Sequence, residues 1–474
     1  MSPGLRWRTA VCAGAMGASL TVGCGGGGSS SATSDGADIE TGGETGGADG
    51  GETGGETGTG GMDGMDLPPT DPPSEGFEAG FEVRDISPTA AELMMGVYMG
   101  AYGAPLARGT ATGVHDPVYA RTVALRAGDE EAVMTILDLP GLGNHYTRRI
   151  REDVAALTGL DPLRVLVGAT HSHSAPDFMG LWGGVPDAYA DRVVTLVVQS
   201  MVDALDAADP VDLYVGTGAA ENRNRRGWPL TDTAVTVLDA RDPQGARVGT
   251  MAVFAAHPVV LGESNKEISR DWPGWAVDAA EAELGAPVLL FSGIMGDVSP
   301  AVPDGTYADD FERCDAYGAL VGGEVAATAQ AAALIADETL AWDATVWTLP
   351  VDNFLFDLAG SLGLLDYDFD EVDGQKTVQT QSSYLRVGSL AGGLQLAAFP
   401  GESLTRNGLE VKQAMTAPHR MVLGLTGDAL GYFIPSDEWM TGLNDDYEES
   451  ISLGMTVGDT SRDAMAAMIA ADGG

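Results

Sequence analysis

Polar residues that can bind a metal follow several of the apolar, strand-like segments of this chain. The stretch RVLVGATHSHSAPD (164–177) ends its apolar run with His171 and His173, and the whole chain has only six histidines. Side chains two residues apart on an extended segment point the same way. Three interpretations of this pair are open: metal ligands, acid–base catalysts, or ordinary polar residues at the end of a strand.

Three more apolar runs also end in polar residues. GTMAVFAAHP (249–258) carries His257, LQLAAFPGESLTRNG (394–408) carries Glu402 after a Pro-Gly turn, and MVLGLTGDALGYF (421–433) leads to Tyr432. Taken singly, each residue is more often structural than functional, and a histidine before proline also suits a turn. Zinc, however, accepts nitrogen and oxygen ligands in a near-tetrahedral set. Four such strand ends therefore favour one shared metal cleft.

The pattern of apolar residues predicts the scaffold that must position these side chains. Short apolar runs bounded by glycine or charge predict strands at 118–128, 132–139, 164–170, 249–258, 286–293, 341–350, 380–387 and 394–399. Helical spacing predicts helices at 147–159, 188–208, 274–285 and 315–336. The alternation predicts an α/β (mixed α+β) fold, with helices on the faces of mixed sheets, in one large domain over residues 79–474.

The first 78 residues differ in composition from the rest. Residues 1–24 contain Arg6 and Arg8, a short apolar run and LTVGC, which resembles a bacterial lipobox. We therefore expect a signal peptide that is cleaved before Cys24 and a lipid on the Cys24 thiol; an ordinary signal peptide is the alternative. Residues 25–78 carry twelve Asp and Glu and no Lys or Arg, with repeated GGET units, which is typical of a disordered linker. The expected location is the bacterial outer membrane or cell surface, with secretion as the alternative.

Charge and cysteine content exclude some classes of function. The formal net charge of −44 disfavours nucleic acid as a partner, because phosphates would be repelled. Beyond the signal region and Cys24, the chain has a single cysteine, Cys314. A disulfide framework within residues 79–474 is therefore excluded.

The order of the motifs resembles the N-terminal catalytic domain of the neutral (alkaline, non-lysosomal) ceramidase family. The matching segments, from about residue 80 to 455, are EVRDISPTAAELMMGVY, GVHDPVYARTVAL, GATHSHSAPD, ENRNRRGWP, VFAAHPVVL, ISRDWPGWA, SGIMGDVSPAV, FPGESLT and GYFIPSDEW. The resemblance implies a Zn²⁺ ion held by His171, His257, Glu402 and Tyr432. It implies catalytic roles for His173, Tyr432, Arg225 and Ser299, and substrate-binding roles for His115, Arg225 and Tyr447. Which of His171 and His173 is the ligand stays open.

This resemblance implies a zinc-dependent amidohydrolase in which a metal-activated water cleaves the N-acyl amide bond of ceramide or a related N-acyl lipid. Ser299 lies in GDVSP (296–300), which is not a GxSxG elbow, so a serine nucleophile is disfavoured. Asp297 and Ser299 are instead expected to hydrogen-bond the histidine ligands. Arg226 stands where the family has serine, and the family's C-terminal immunoglobulin-like domain is expected to be absent. The alternatives are a hydrolase of the same fold with another amide or ester substrate, and a non-catalytic surface lipoprotein.

One further segment has two interpretations. VDNFLFDLAGSLGLLDYDFDEVDG (351–374) is apolar, interrupted by glycine and acidic at its end. Such a segment is usually a buried helix and loop, and it is alternatively the lining of a mouth that accepts a lipid.

Overall fold

The computed structural model describes residues 74–103, 106–441 and 447–473, in which the long strands form three sheets. Across the first sheet the strands are β5 (Val165–Ala169), β4 (Glu130–Leu137), β3 (Tyr119–Gly128), β1 (Ser74–Asp85) and β6 (Asp209–Pro210). Across the second they are β12 (Val288–Ser292), β10 (Arg247–Phe254), β9 (Ala234–Arg241), β7 (Asp212–Ala219) and β14 (Ala333–Leu334). The third contains β15 (Leu340–Pro350), β17 (Gln375–Val387), β18 (Leu394–Ala398) and β20 (His419–Leu423), with β16 (Asp370–Val372) paired to β17.

Three two-stranded ladders complete the strand pairing of the described chain. They join β2 (Gly113–Val114) to β11 (Glu267–Ile268), β8 (Asn222–Asn224) to β13 (Val298–Pro300), and β19 (Glu402–Ser403) to β21 (Tyr432–Phe433). The helices are α1 (Ala90–Gly96), α2 (Asn144–Thr158), α3 (Asp187–Asp206), α4 (Asp271–Leu284), α5 (Asp310–Ala331), α6 (Phe354–Ser361), α7 (Thr405–Ala414), α8 (Tyr447–Ser450) and α9 (Val457–Asp472). Among the described residues, no helix has the length and apolar character that crossing a membrane requires.

Neighbouring side chains on a strand point to opposite sides, and each sheet packs apolar side chains on both of its faces. The edge strands β15 and β16 of the third sheet stay largely exposed or half-buried. One face of every sheet contributes to a common core, with Leu125 from the first sheet, Val253 from the second and Leu396 from the third. The opposite faces are covered by helices: α2 and α3 on the first sheet, α4 and α5 on the second, and α7 and α9 on the third. The predicted mixed α+β fold with helices on sheet faces is confirmed.

The three sheets meet at the carboxyl ends of their parallel strands. Each sheet has one parallel pair, β4 with β5, β10 with β12, and β18 with β20. At these ends the Ala169 N–H donates to Leu425 O (3.0 Å), and the Gly424 N–H donates to Ser292 O (2.8 Å). The Ser292 hydroxyl donates to Thr170 O at 2.8 Å. One end of all three sheets is therefore joined directly by hydrogen bonds.

Most elements begin or end a few residues from their predicted bounds, and the differences at β1 and α5 have identifiable causes. β1 begins at Ser74 and takes in the last five residues of the predicted linker; the signal peptide and the rest of the linker lie outside the described residues. The helix predicted at 315–336 is α5, which begins earlier because the Asp309 side chain accepts the Glu312 N–H at its start. It ends earlier because residues 333–334 pair with β7.

Candidate functional site

The polar residues predicted to share a cleft are brought together where the three sheets meet. His171 lies two residues after β5, His257 three residues after β10, and Glu402 four residues after β18. Each therefore comes from the parallel pair of a different sheet, as strand-end positions at one edge would predict. His171 has φ 69°, a left-handed conformation that costs energy in a residue other than glycine. Such strain is typical of functional sites.

The side-chain atoms of this cluster lie within contact distance. The Nε2 atom of His257 is 3.0 Å from Glu402 Oε2, and His171 Nε2 is 3.4 Å from the same oxygen. His173 Nε2 lies 3.0 Å from His171 Nε2. One nitrogen from each of the three histidines lies within 4.8 Å of the others. His171, His257 and Glu402 are buried, and His173 is partly exposed.

Hydrogen bonds of the Nδ1 atoms determine the tautomers of His171 and His257. The Nδ1 atom of His171 contacts Pro140 O, and Nδ1 of His257 lies 3.1 Å from Val298 O. A carbonyl can only accept, so both histidines carry a proton on Nδ1 and, when neutral, present the Nε2 lone pair inward. Lone pairs and a carboxylate then face one another, which is unfavourable unless a proton or cation lies between them.

This donor set fits a metal ion. Imidazole nitrogen with carboxylate oxygen suits zinc, and histidine ligands ordinarily donate their second N–H to a carbonyl or carboxylate, as His171 and His257 do here. The expectation that Asp297 and Ser299 bond the histidines is wrong for the Nδ1 atoms of His171 and His257, because main-chain carbonyls already accept both protons. Asp297 instead accepts from the Thr405 N–H and hydroxyl at the start of α7.

Burial and neighbouring charges decide the protonation of the cluster. Burial alone would raise the pKa of Glu402, but attraction to His171 and hydrogen bonds with both histidines hold that pKa well below the usual range. Burial lowers the pKa of His257, and Arg225 acts in the same direction. Burial, followed by His171 and His257, lowers the pKa of His173 well below its usual value. At neutral pH the cluster therefore offers the Glu402 carboxylate and the neutral imidazoles of His173 and His257, the protonation state that a cation requires.

Tyr432 is held beside the cluster by its strand pairing. β19 and β21 are parallel, and Tyr432 is the register partner of Glu402. The Arg225 Nη2 atom donates to the Tyr432 hydroxyl at 2.9 Å and to Gly296 O at 2.6 Å. Burial raises the pKa of Tyr432 well above its usual value, against the opposing effect of Arg225. Tyr432 is therefore a neutral phenol in this arrangement.

Arg225 links Tyr432 to α8. Its Nη2 atom lies 3.2 Å from Glu448 Oε1, and its guanidinium lies 5.9 Å from the ring centre of Tyr447. Burial lowers the pKa of Arg225, but Tyr432 and Glu448 together raise it by more than burial lowers it. The pKa of Arg225 is therefore above its usual value. The predicted residues Arg225, Tyr432 and Tyr447 are thus in one group. Glu448 was not predicted, since it is one of several acidic residues in DDYEES (445–450) with nothing to distinguish it.

The chain also places two residues behind His173 that its sequence did not single out. The Tyr102 ring meets the His173 ring edge-on, with ring centres 4.8 Å apart. The guanidinium of Arg108 contacts His173 O and donates to Gly100 O and Asn265 O, both at 2.8 Å. Burial lowers the pKa of Arg108 to about 10. No periodicity or motif marks these positions, because their role depends on contacts made only in the folded chain.

The remaining two predicted site residues, His115 and Ser299, contact other parts of the chain. His115 is exposed and stacks on Phe311, with ring centres 3.7 Å apart. Ser299 pairs across a ladder with Arg223 and lines a cavity of about 850 Å³ that none of the three clustered histidines lines. The substrate-binding role of His115 and the catalytic role of Ser299 stay predictions. Cys24, the predicted lipidation site, lies outside the described residues.

Comparison with known proteins supports the resemblance drawn from the motifs. No family model matches the chain. Neutral ceramidase B of Dictyostelium discoideum is 25% identical over 275 residues, which are 50% of this chain and 37% of that protein. The chain thus matches little more than a third of the length of this curated relative.

Solved structures show the same relationship at the level of the fold. Neutral ceramidase from Pseudomonas aeruginosa matches with a TM-score of 0.69 and 18% identity, over 84% of this chain and 74% of that one. A structure of a ceramidase complexed with C2 also matches, with a TM-score of 0.69 and 18% identity, over 84% of this chain and 75% of that one. These matches confirm the resemblance to the neutral ceramidase family, and the protein has the neutral ceramidase fold.

Proposed function

We propose that the protein is a zinc-dependent amidohydrolase that cleaves the N-acyl amide bond of ceramide or a related N-acyl lipid. The observation that carries the proposal is the convergence of His171, His257 and Glu402 at the junction of three sheets, in a fold shared with neutral ceramidases. A purely structural role, in a turn or in the core, would not explain why the Nε2 atoms of His171 and His257 face the Glu402 carboxylate.

The metal would be held by His171, His257 and Glu402, with His173 adjacent. Tyr432, the fourth ligand that the resemblance implies, is the register partner of Glu402, and its ligand role stays a prediction. When bound there, zinc would act as a Lewis acid on the amide carbonyl and lower the pKa of a water molecule to near neutrality. Arg225 already donates to the Tyr432 hydroxyl oxygen, which therefore acts as an acceptor toward Arg225. The hydroxyl proton of Tyr432 stays available for a different acceptor. Tyr432 is therefore suited to donate to an oxyanion that develops on the carbonyl oxygen.

His173 is the residue we assign to proton transfer. It is the partly exposed histidine of the cluster, and its Nδ1 atom is buried without a hydrogen-bond partner. Because its pKa is lowered, His173 is neutral and can accept a proton from the attacking water. As the carbon–nitrogen bond breaks, the same proton passes to the amine. Water is consumed, and the products are a fatty acid and a long-chain amine.

We also propose that a lipid on Cys24 attaches the protein to the bacterial outer membrane or cell surface. The support is the LTVGC sequence and the acidic, glycine-rich stretch that follows it. Mass spectrometry of the mature N-terminus tests this assignment, and an unlipidated residue at the cleaved end would refute it.

Activity and metal content test the function together. The purified protein is assayed on N-acylsphingosine and on N-acyl amino acids, with the released acid and amine identified by mass spectrometry. We expect hydrolysis of the sphingoid amide, abolished by a chelator and restored by zinc. Turnover of N-acyl amino acids alone would replace the ceramide assignment with another amide. Absence of hydrolysis from zinc-loaded protein would favour a non-catalytic role.

A further inference from the structure

Helix α6 carries an apolar surface that the core does not use. Its sequence, FLFDLAGS, buries only Phe356. Phe354 is 71% exposed, and Leu362, directly after the helix, is 63% exposed. We call this surface the apolar face; its exposed members are Phe354, Leu355, Leu358, Leu362 and Leu364. Clustered exposed apolar side chains of this kind mark an interaction surface more often than an ordinary exterior.

The apolar face is attached to the segment that contributes Tyr447 to the site. Asn353 caps α6, and its Nδ2 atom donates to Ser450 O (2.9 Å) and Ser452 O (2.7 Å) in and just after α8. α8 begins at Tyr447, whose ring centre is 6.1 Å from that of Tyr432. The apolar face therefore lies beside the candidate site.

On its other side, the apolar face meets the loop that follows His173. The Asp366 N–H donates to Met179 O at 2.9 Å, which fixes the turn containing Leu364 against this loop. Further along the loop, Trp182 O accepts from the N–H of Leu106, another exposed leucine. Apolar side chains therefore flank the loop on both sides and extend the surface past α6.

The charges around the apolar face restrict what can cover it. Residues 351–374 include seven Asp and Glu and no Lys or Arg. The adjacent Lys376 is already paired with Asp357 at 2.6 Å. Anionic lipids would be repelled by this composition, whereas a surface of zwitterionic lipids carries no net charge and accepts apolar side chains at its interface.

We propose that the apolar face docks the protein on a membrane of zwitterionic or neutral lipids and places the candidate site beside the bilayer. The benefit for catalysis rests on the proposed function, because only a lipid substrate would be drawn from that bilayer. Docking itself needs only the exposed side chains and the excess of acidic over basic residues in the segment that carries them.

Vesicle binding tests the proposal with the mature chain that begins at residue 24, in which Cys24→Ser prevents lipid attachment. The variant Phe354→Ser/Leu355→Ser/Leu362→Ser removes three exposed side chains of the apolar face. The matched control, Leu157→Ser/Leu320→Ser, removes exposed leucines on α2 and α5. Flotation with phosphatidylcholine vesicles should show binding by the parent and the control. Binding by the triple variant should be weaker by about tenfold or more, because binding follows buried apolar area.

Each outcome of this experiment supports or overturns the docking proposal. Equal binding by parent and triple variant, binding that requires phosphatidylserine, or absence of binding by the parent would overturn it. Concentration-dependent dimerisation lost in the triple variant would assign the face to a second copy of the chain instead. Hydrolysis of a soluble short-chain N-acyl substrate is measured in parallel. Vesicle binding without hydrolysis would contradict the proposed function alone, and hydrolysis without vesicle binding would contradict docking alone.

Discussion

The Nε2 atom of His257 lies 3.0 Å from Oε2 of Glu402, although the two residues are 145 positions apart and leave different sheets. His171, which follows a strand of the first sheet, lies 3.4 Å from the same carboxylate oxygen. The contacts among these three side chains thus join distant parts of the chain, and most of the behaviour of the candidate site should follow from them.

Replacing either buried histidine should remove the metal. We expect about one zinc per chain in the parent and less than about a tenth in His171→Ala and His257→Ala, because each substitution deletes one of few ligands. Elemental analysis by mass spectrometry measures this directly. His419→Ala is the matched control, since His419 bonds Thr217 outside the site and should leave the zinc content unchanged. Full zinc content in both site variants would refute the assignment.

Substituting His173 should separate catalysis from metal binding. If His173 transfers protons, His173→Ala keeps most of its zinc while kcat falls by about 10²- to 10⁴-fold. Zinc content and kcat are measured on the same preparation, with exposed His145→Ala as the control. Parallel loss of zinc and activity would make His173 a ligand and would remove the proton-transfer role.

The pair of Arg226 and Glu449 should matter for stability. The Arg226 side chain is 2% exposed, and its Nη2 atom lies 3.1 Å from Glu449 Oε1. Arg226→Ser should lower the free energy of unfolding by about 3 kcal/mol, because one buried charge is left unpaired. Adding Glu449→Gln should recover part of this loss, since both charges are then gone.

Urea denaturation at pH 7 measures both effects on the Arg226 pair. Arg313→Ser serves as the control, because the exposed Arg313–Asp310 pair should contribute less than about 1 kcal/mol. Unchanged stability of Arg226→Ser would show that the buried pair contributes nothing.

Asp271 should make stability depend on pH. Burial raises its pKa to about 6, against backbone hydrogen bonds from Leu261, Trp272 and Val260. Between the unfolded pKa near 4 and the folded pKa near 6, the native state binds more protons than the unfolded state. The stabilising contribution of protonated Asp271 is therefore complete below about pH 4 and is lost as pH rises through 6. Asp271→Asn removes the dependence and tolerates the φ of 53°.

The cost of Asp271→Asn relative to the parent should therefore be larger at pH 4.5 than at pH 7.5. The difference should reach up to about 3 kcal/mol for a shift of roughly two units. Urea titrations of both proteins at the two pH values give the cost of the substitution at each pH. The effects of the other titrating groups are the same in both proteins and cancel in this comparison. An identical cost at both values would show that Asp271 titrates normally.

Much of the scaffold is predictable from sequence because the apolar spacing is strong. β5 and β18 lie within predicted strands, and β10 begins two residues before one. The residues that follow these three strands converge as strand-end positions should. Arg108 and Glu448 could not be found this way, since each matters only through a partner distant in the chain. Asp297 was misjudged because nothing in the sequence shows that Pro140 O and Val298 O already accept the histidine protons.

The junction of the three sheets also sets the order in which the protein can mature. The chain emerges from the ribosome with His171 first and Glu402 far later, and Tyr432 later still. Neither the first sheet alone nor the first two contain the carboxylate that His171 and His257 share. A chain that has not yet reached Glu402 therefore presents the three histidines without the carboxylate that they face. Under the proposed function, the complete donor set is available only in the finished, folded protein.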